Sequence, residues 1–261
     1  MVGEGRFFDG LTVGQTAKVP GGLEVTDKVK VRQNDHILEF FDAYPMCGAK
    51  IGAGAATGTT GDENLMVLNN SIWEYHILGT QTIVAPSMGA TGINVSLDAT
   101  DNDGAEFCLG ISPFNKGVFT VGTSPAFFAR LVFTIADVSD TDDCAFGFRK
   151  VEAYQANIDD YDEMAALNVI SGDIKIETIL NNAATVTTDT TLNWADTATH
   201  ELEVRVSAAG VVTFMVDGSI PATTAAYTFD DGEVVVPFFY FLHVASSTAG
   251  IILKEFECGL Q

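Results

Sequence analysis

The chain has 261 residues, 47% hydrophobic and 18% charged, with 35 Asp and Glu against 13 Lys and Arg, a formal net charge of -22. That apolar content can bury a core and excludes a disordered chain, and the length suits one large all-β domain or a domain with an extension. The charge excludes a surface that grips nucleic acid and a polybasic membrane contact, since both need clustered cations, and favours basic partners or cations.

No segment has the ~18–20 uninterrupted apolar residues of a membrane helix. Met1 to Gly10 carries Glu4 and Asp9 and no basic-then-apolar run, so no secretion signal is expected and the chain is expected to mature in a cytosol. Phe7 and Phe8 form an early aromatic patch. The run NDHILEFFDAY, from Asn34 to Tyr44, has a cap at Asn34 or Asp35, apolar Ile37, Leu38, Phe40 and Phe41, and a stop before Pro45, which predicts one short helix. A helix this short is marginal alone, so its aromatic face must dock on this domain or on a neighbouring subunit. Gly48 to Asn64 has almost no bulky side chains and is expected to be a loop or arm. Residues 1–64 therefore read as an N-terminal arm and 65–261 as the folded domain. Ordering an arm is costly unless apolar groups enter a partner. Phe7, Phe8, Ile37, Leu38, Phe40 and Phe41 are the candidate partner-binding residues, with folding back onto the chain's own domain as the competing expectation.

From Leu65 the pattern is β: short Val-, Ile-, Phe- and Thr-rich runs alternate with Gly, Asp, Asn and Pro clusters. Expected strands cover 92–99, 105–111, 117–122, 127–137, 144–150, 164–170, 173–180, 200–208, 211–218, 233–245 and 251–259. Their spacing is that of an antiparallel sandwich. In HELEVRVSA, Leu202, Val204 and Val206 alternate with Glu201, Glu203 and Arg205, so one face is buried, and a hairpin turn is expected at Ala208–Gly210. VVVPFFYFLHVA is apolar on both faces and should be covered on both, with an interruption or bulge at Pro237. Cys47, Cys108, Cys144 and Cys258 are widely spaced and are expected to be buried free thiols.

Asp159, Asp160, Asp162 and Glu163 are the candidate calcium ligands, because hard cations take clustered carboxylate oxygens. The EF-hand spacing is absent, and a solvated acidic loop is the favoured expectation. Residues 137–143 (DVSDTDD) have the same character, and a meeting of the two segments would strengthen a calcium site. Asp173 and Glu177 share a strand face, but Lys175 between them points to an ion-pair ladder rather than a hydrolytic dyad. His36, His76, His200 and His243 accompany no G-x-S-x-G elbow, and no phosphate-binding loop occurs. Trp73, Tyr75, Tyr154, Asn157, Tyr161 and Trp194 are candidates for stacking on a sugar, although aromatics in a sandwich more often pack a core.

The run FARLVF at 128–133, the acidic turn to Asp143, AFGFRK at 145–150, Trp194 before His200, and the closing Asp217-Gly218 together resemble the concanavalin A-like lectin/glucanase jelly roll over residues 90–261. The resemblance implies an all-β antiparallel β-sandwich, to which the residue pattern adds the N-terminal extended arm carrying the short helix. The strings RQNDHILEFFDAYP and AFGFRKVEAYQANIDDYDEMAALNVISGDIKIETILNN look like structural proteins of tailed phages of aquatic bacteria, over nearly the full chain. That likeness implies a non-enzymatic virion protein, made in the host cytoplasm, that decorates or cements the capsid surface. Its expected partners are the major capsid protein or other virion subunits and further copies of itself. The alternative is a glycan- or receptor-binding lectin-like module on a tail or head fibre, and a third reading is an atypical glycoside hydrolase.

Overall fold

The computed structural model describes residues 36–40, 63–68, 71–79, 84–89, 92–96, 101–109, 119–244 and 250–261. All of these fall within one compact unit, Arg32–Gln261. One sheet runs β14 (Val212–Val216), β13 (Thr199–Val206), β8 (Phe127–Ile135), β16 (Ile251–Leu260), β5 (Gly92–Ser96), β4 (Val84–Gly89), with β1 (His36–Phe40) also on β16, seven strands in all. The other runs β12 (Val186–Asn193), β11 (Asp173–Ile179), β10 (Met164–Ile170), β9 (Thr141–Lys150), β15 (Val234–His243), β6 (Gly104–Leu109), β3 (Ser71–Leu78), β2 (Glu63–Leu68), with β7 (Phe119–Thr120) also on β15, nine strands in all. Neighbouring strands in both sheets are antiparallel.

The strand alternation read from the sequence decides which side chains meet. Ala129, Leu131 and Phe133 of β8 face inward, as do Leu202, Val204 and Val206 of β13 and Phe146 and Phe148 of β9. Phenylalanine rings bridge the sheets: Phe119 stacks on Phe127 at 4.4 Å, Phe127 meets Phe148 edge-on at 5.2 Å, and Phe133 meets Phe239 edge-on at 5.4 Å. β15 is covered on both faces as expected. Phe239 and Phe241 enter this core, whereas Phe238, Tyr240 and Leu242 join a second apolar cluster on the far side of the nine-stranded sheet. That cluster exists because residues 151–163 fold over the sheet and bury Ile158 and Tyr161 against it.

Two expectations are corrected, and one strand was not foreseen. The helix expected over 34–44 is replaced at His36–Phe40 by β1, paired with Gly259 to Glu255 of β16. An open ladder supplies partners that an isolated short helix lacks, and tertiary pairing overrides the helical pattern. β15 is not bulged at Pro237: its ladder to β9 runs through the Pro237–Phe148 pair, and the register shift lies at Leu242/His243. On its other edge β7 pairs with Val234 and Val235 and β6 with Phe238–Leu242. Val236 and Pro237 fall between these two described pairings. β12, a Thr-rich strand whose side chains are mostly exposed, has no apolar alternation to reveal it.

The hairpin expected at 208–210 is present, with the Gly210 N–H donating to the Ser207 carbonyl at 2.9 Å. Ser171 and Gly172 close the β10–β11 hairpin with φ of 49° and 87°, a left-handed pair that favours glycine at the second position. Cys108, Cys144 and Cys258 are buried free thiols, and Cys47 lies outside the described residues.

Gly147 of β9 lies so close to β10 that an added Cβ would stand 2.2 Å from the Ala165 carbonyl oxygen and 2.7 Å from the Ala166 Cα. Both are backbone atoms and cannot swing aside. Gly147→Ala is expected to lower stability by about 1–3 kcal/mol, read as a drop in the urea midpoint; an unchanged midpoint would contradict this packing.

Candidate functional site

The outer face of the nine-stranded sheet carries the chemistry. Arg149 on β9 and Glu106 on β6 are both fully buried and form an ion pair, Arg149 Nε donating to Glu106 Oε1 at 2.5 Å. The guanidinium also gathers the segment that follows it. Its Nη1 donates to the Lys150 carbonyl at 2.8 Å and the Glu152 carbonyl at 3.3 Å, and its carbon lies 5.3 Å and 4.7 Å from the Tyr154 and Tyr161 ring centres. The Tyr161 hydroxyl donates to the second Glu106 oxygen. Burial pushes the Glu106 carboxyl up, opposed by the Arg149 charge and the Tyr161 hydroxyl, and it pushes the Tyr161 phenol well up. An internal cation thus does here what a bound ion does elsewhere: it collects a carboxylate and main-chain carbonyls and fixes a loop around itself.

Farther along the same face, Asn168 on β10 bridges two carboxylates. Its Nδ2 donates to Asp143 Oδ1 at 2.6 Å and Glu177 Oε2 at 2.7 Å, while its Oδ1 accepts from the Cys144 N–H at 2.8 Å. Thr187 adds a donor to Glu177 at 3.2 Å. Desolvation, with the charges of Glu177, Asp142 and Asp159, raises the Asp143 carboxyl to about 7.

The four calcium candidates are not brought together. Asp159 accepts from the Thr185 hydroxyl at 2.6 Å, and its N–H is capped by Asn157 at 3.2 Å. The Asp160 N–H donates to the Asn157 carbonyl at 3.1 Å. Asp162 turns the other way, toward Lys150 Nζ at 3.4 Å. Glu163 is sealed, its carboxyl raised to about 7 by burial and by the Glu233 and Asp230 charges, with the Asp230 amide opposing. Among the described residues no three His, Cys, Asp or Glu side chains stand close enough to hold a metal ion. Asp173 and Glu177 form no dyad either, since Glu177 is committed to Asn168 and Thr187 while Asp173 is exposed at the strand start.

The aromatics proposed for sugar stacking are mostly structural. Trp194 is buried against Phe133 at 4.5 Å and donates to the Ala198 carbonyl at 3.2 Å. Tyr161 is fully buried, and Tyr154 stacks on His76 at 4.4 Å. Asn157 caps a 3-10 turn. The side chains of Trp73, Tyr75, Ile37, Leu38 and Phe40, and all of Phe7, Phe8 and Phe41, lie outside the described residues. His243 is fully buried in β15 beside Phe241, and His200 pairs with Asp217 at 2.7 Å on the β13–β14 hairpin.

The opposite face of the sandwich, which the sequence reading did not single out, is built around Arg130 of β8. It donates from Nη1 to Glu201 at 2.7 Å, from Nε and Nη2 to Glu257 at 3.2 and 3.0 Å, and from Nη2 to Glu255. The alternation in β8 and β13 puts these residues on one outward face, but the pairing with β16 joins positions too distant in sequence to be read together.

No protein-family model matches the chain, and no curated protein matches it. Among solved structures, the carbohydrate recognition domain of Emp47p is similar over 82% of this chain and 98% of that domain, at 11% identity and a TM-score of 0.50. The fold is a concanavalin A-like β-sandwich. The exoplasmic/lumenal domain of VIP36, in its Ca2+/Man3GlcNAc-bound form, covers 72% of this chain and 83% of its own at 9% identity and a TM-score of 0.49. The botulinum neurotoxin serotype D binding domain covers 79% of this chain and 48% of its own at 7% identity and a TM-score of 0.43. Identities this low speak for the fold alone, and the two lower scores carry no argument.

Removing one member of the buried pair strands the other. Arg149→Met is expected to cost about 3–5 kcal/mol, and Arg149→Met with Glu106→Leu to recover most of it, in urea denaturation; equal losses in both variants would contradict the buried pair. The Asp143 carboxyl also sets a pH dependence. Its folded value is raised above the unfolded one, from 3.8 to about 7, so its contribution to stability is present below about pH 4 and is lost as pH rises through about 7. Asp143→Asn is expected to flatten this part of the thermal-midpoint profile and to be relatively most stabilising above neutral pH.

Proposed function

We propose that the chain is a non-enzymatic structural protein of a tailed-phage virion, made in the host cytoplasm, that decorates or cements the capsid surface. The observation that carries this reading is the closed outer face of the nine-stranded sheet. Residues 151–163 cover it, and its buried carboxylates hold the wall together: Glu106 binds Arg149 and Tyr161, and Glu177 binds Asn168 and Thr187. None of these has the open geometry of an acid/base pair around a substrate. The surplus of carboxylates keeps displayed copies apart in solution, and the resemblance of nearly the full chain to phage structural proteins supports the same setting. The residues before β1 anchor the subunit to the major capsid protein or to neighbouring copies, and a repeated lattice strengthens each weak contact.

A second reading, a glycan- or receptor-binding module on a tail or head fibre, is favoured by the likeness to the Emp47p carbohydrate recognition domain. The two separate by location. Antibody-gold labelling of intact virions is expected to show regular, high-copy label over the head. Label confined to the tail tip or fibres would put the second reading first, and absence of label from virions would end the virion assignment.

A further inference from the structure

One lateral edge of the sandwich carries almost no charge. Both sheets end there: β12 closes the nine-stranded sheet and β14 closes the seven-stranded one, with β14 packed over β10. The segment after β14 spans from that strand to the end of β11. The Val212 N–H donates to the Tyr227 carbonyl at 3.0 Å, and the Tyr227 hydroxyl donates to the Ile179 carbonyl at 2.6 Å. The chain has 35 Asp and Glu and 13 Lys and Arg, yet residues 179–194 hold one charged side chain, Asp189, and residues 206–229 hold one, Asp217. Both are already engaged. Asp189 caps the Thr191 N–H at 2.7 Å, and Asp217 holds His200 at 2.7 Å and the Glu201 N–H at 3.0 Å. The same two segments hold five of the six large apolar side chains exposed among the described residues: Leu180, Val186, Leu192, Val211 and Ile220. We propose that this edge is where two copies of the chain meet, about a twofold axis.

Register explains why the edge is apolar. Leu192 pairs with Ile174 and Thr188 with Ile176, and both isoleucines lie in the core between the sheets. Paired residues share a face, so Val186, Thr188 and Leu192 face the core side of their sheet. The seven-stranded sheet ends at β14, over β10, and Tyr227 reaches only to the end of β11. β12 is therefore a ledge, on which Val186 is 59% and Leu192 38% exposed. The ledge is not built to gain another strand. β12 bulges between Asp189 and Leu192, where Thr191 has φ of 65° and the Thr190 hydroxyl accepts from the Leu192 N–H at 3.2 Å. The bulge breaks the ladder that an added strand needs, so the contact is made by side chains.

Charge decides the occupant. Two copies of net charge -22 repel wherever their acidic faces meet, and that repulsion is least across this edge. A basic partner is drawn to the acidic faces and finds only two engaged carboxylates here. A twofold contact sets the patch against itself, so one neutral surface serves both copies. Burial of the exposed apolar side chains supplies the attraction. This assignment is independent of both readings of function above, since it needs neither a capsid nor a glycan.

The full-length protein is examined by sedimentation velocity over a concentration series up to about 0.1 mM, at about 0.05 M and about 0.5 M salt. The expected result is a dimer whose dissociation constant falls as salt rises, because screening removes the repulsion between net charges. Val186→Glu and Ile220→Glu each place a charge at an exposed position, on β12 and in the turn after β14. Each is expected to raise the dissociation constant at least about tenfold, with a urea midpoint close to the parent's. Ala153→Glu adds the same charge at an exposed position in residues 151–163 and is expected to dimerise as the parent does. A protein that is monomeric throughout overturns the proposal, as does a dimer that both edge variants leave intact or that Ala153→Glu weakens equally. Association that weakens as salt rises also overturns it, since ion pairs would then hold the copies together.

Discussion

Burying a guanidinium is costly unless every donor finds an acceptor, and Arg149 meets that demand by organising what surrounds it. Glu106 comes from a strand 43 residues away in sequence, and the carbonyls of Lys150 and Glu152 come from the chain immediately after it. Meeting those acceptors forces residues 151–163 to turn back over the sheet instead of leaving it. Tyr161 and Ile158 then seal the outer face of β15, which is why that strand can be apolar on both sides. Without the ion pair the second apolar cluster has no lid, and Phe238 and Tyr240 lie open to water.

The two outer faces show opposite uses of the same chemistry. On the nine-stranded sheet, carboxylates are desolvated and committed to neighbouring side chains. On the seven-stranded sheet, they surround an arginine at partial exposure, where each pair contributes little to stability but fixes side-chain positions. A chain with so large an excess of acid can afford this only where its few cations sit at the centre of carboxylate groups. Arg130 and Lys150 each do so.

The strands that build the core were legible because inward and outward residues alternate, as in β8 and β13, or because a run is apolar throughout, as in β15. β12 was not, since its Thr-rich sequence faces water and takes its conformation from β11 rather than from burial. The His36–Phe40 segment misled because apolar spacing suits a helix as well as a strand, and only the unpaired flank of β16 decides between them. The sites were less legible still. Asp143 was visible as part of an acidic run, but Glu177 and the Asn168 that bridges the two come from other strands. Trp194 and Tyr161 were open to a sugar-stacking or a core role because a sequence does not show which loops are folded inward. Arg130 and Glu257 carried no motif, since their relation is a matter of register across 127 positions.

β16 has a further consequence for how the chain assembles. It lies between β8 on one flank and β5 and β1 on the other, so the two halves of the seven-stranded sheet meet only through it. Until residues 251–260 are in place, β8 and β5 present raw ladders of N–H and C=O groups, the kind of edge that captures other chains. The join closes a loop of more than a hundred residues, which is slow by its entropy alone. The nine-stranded sheet can form much of itself from the local hairpins β9–β10–β11–β12, and it supplies the surface on which the late strand condenses. The other wall has the same dependence at its centre, since β15 joins β9 to β6 and so brings Arg149 and Glu106 to one face: in each wall a strand from late in the chain closes the ladder.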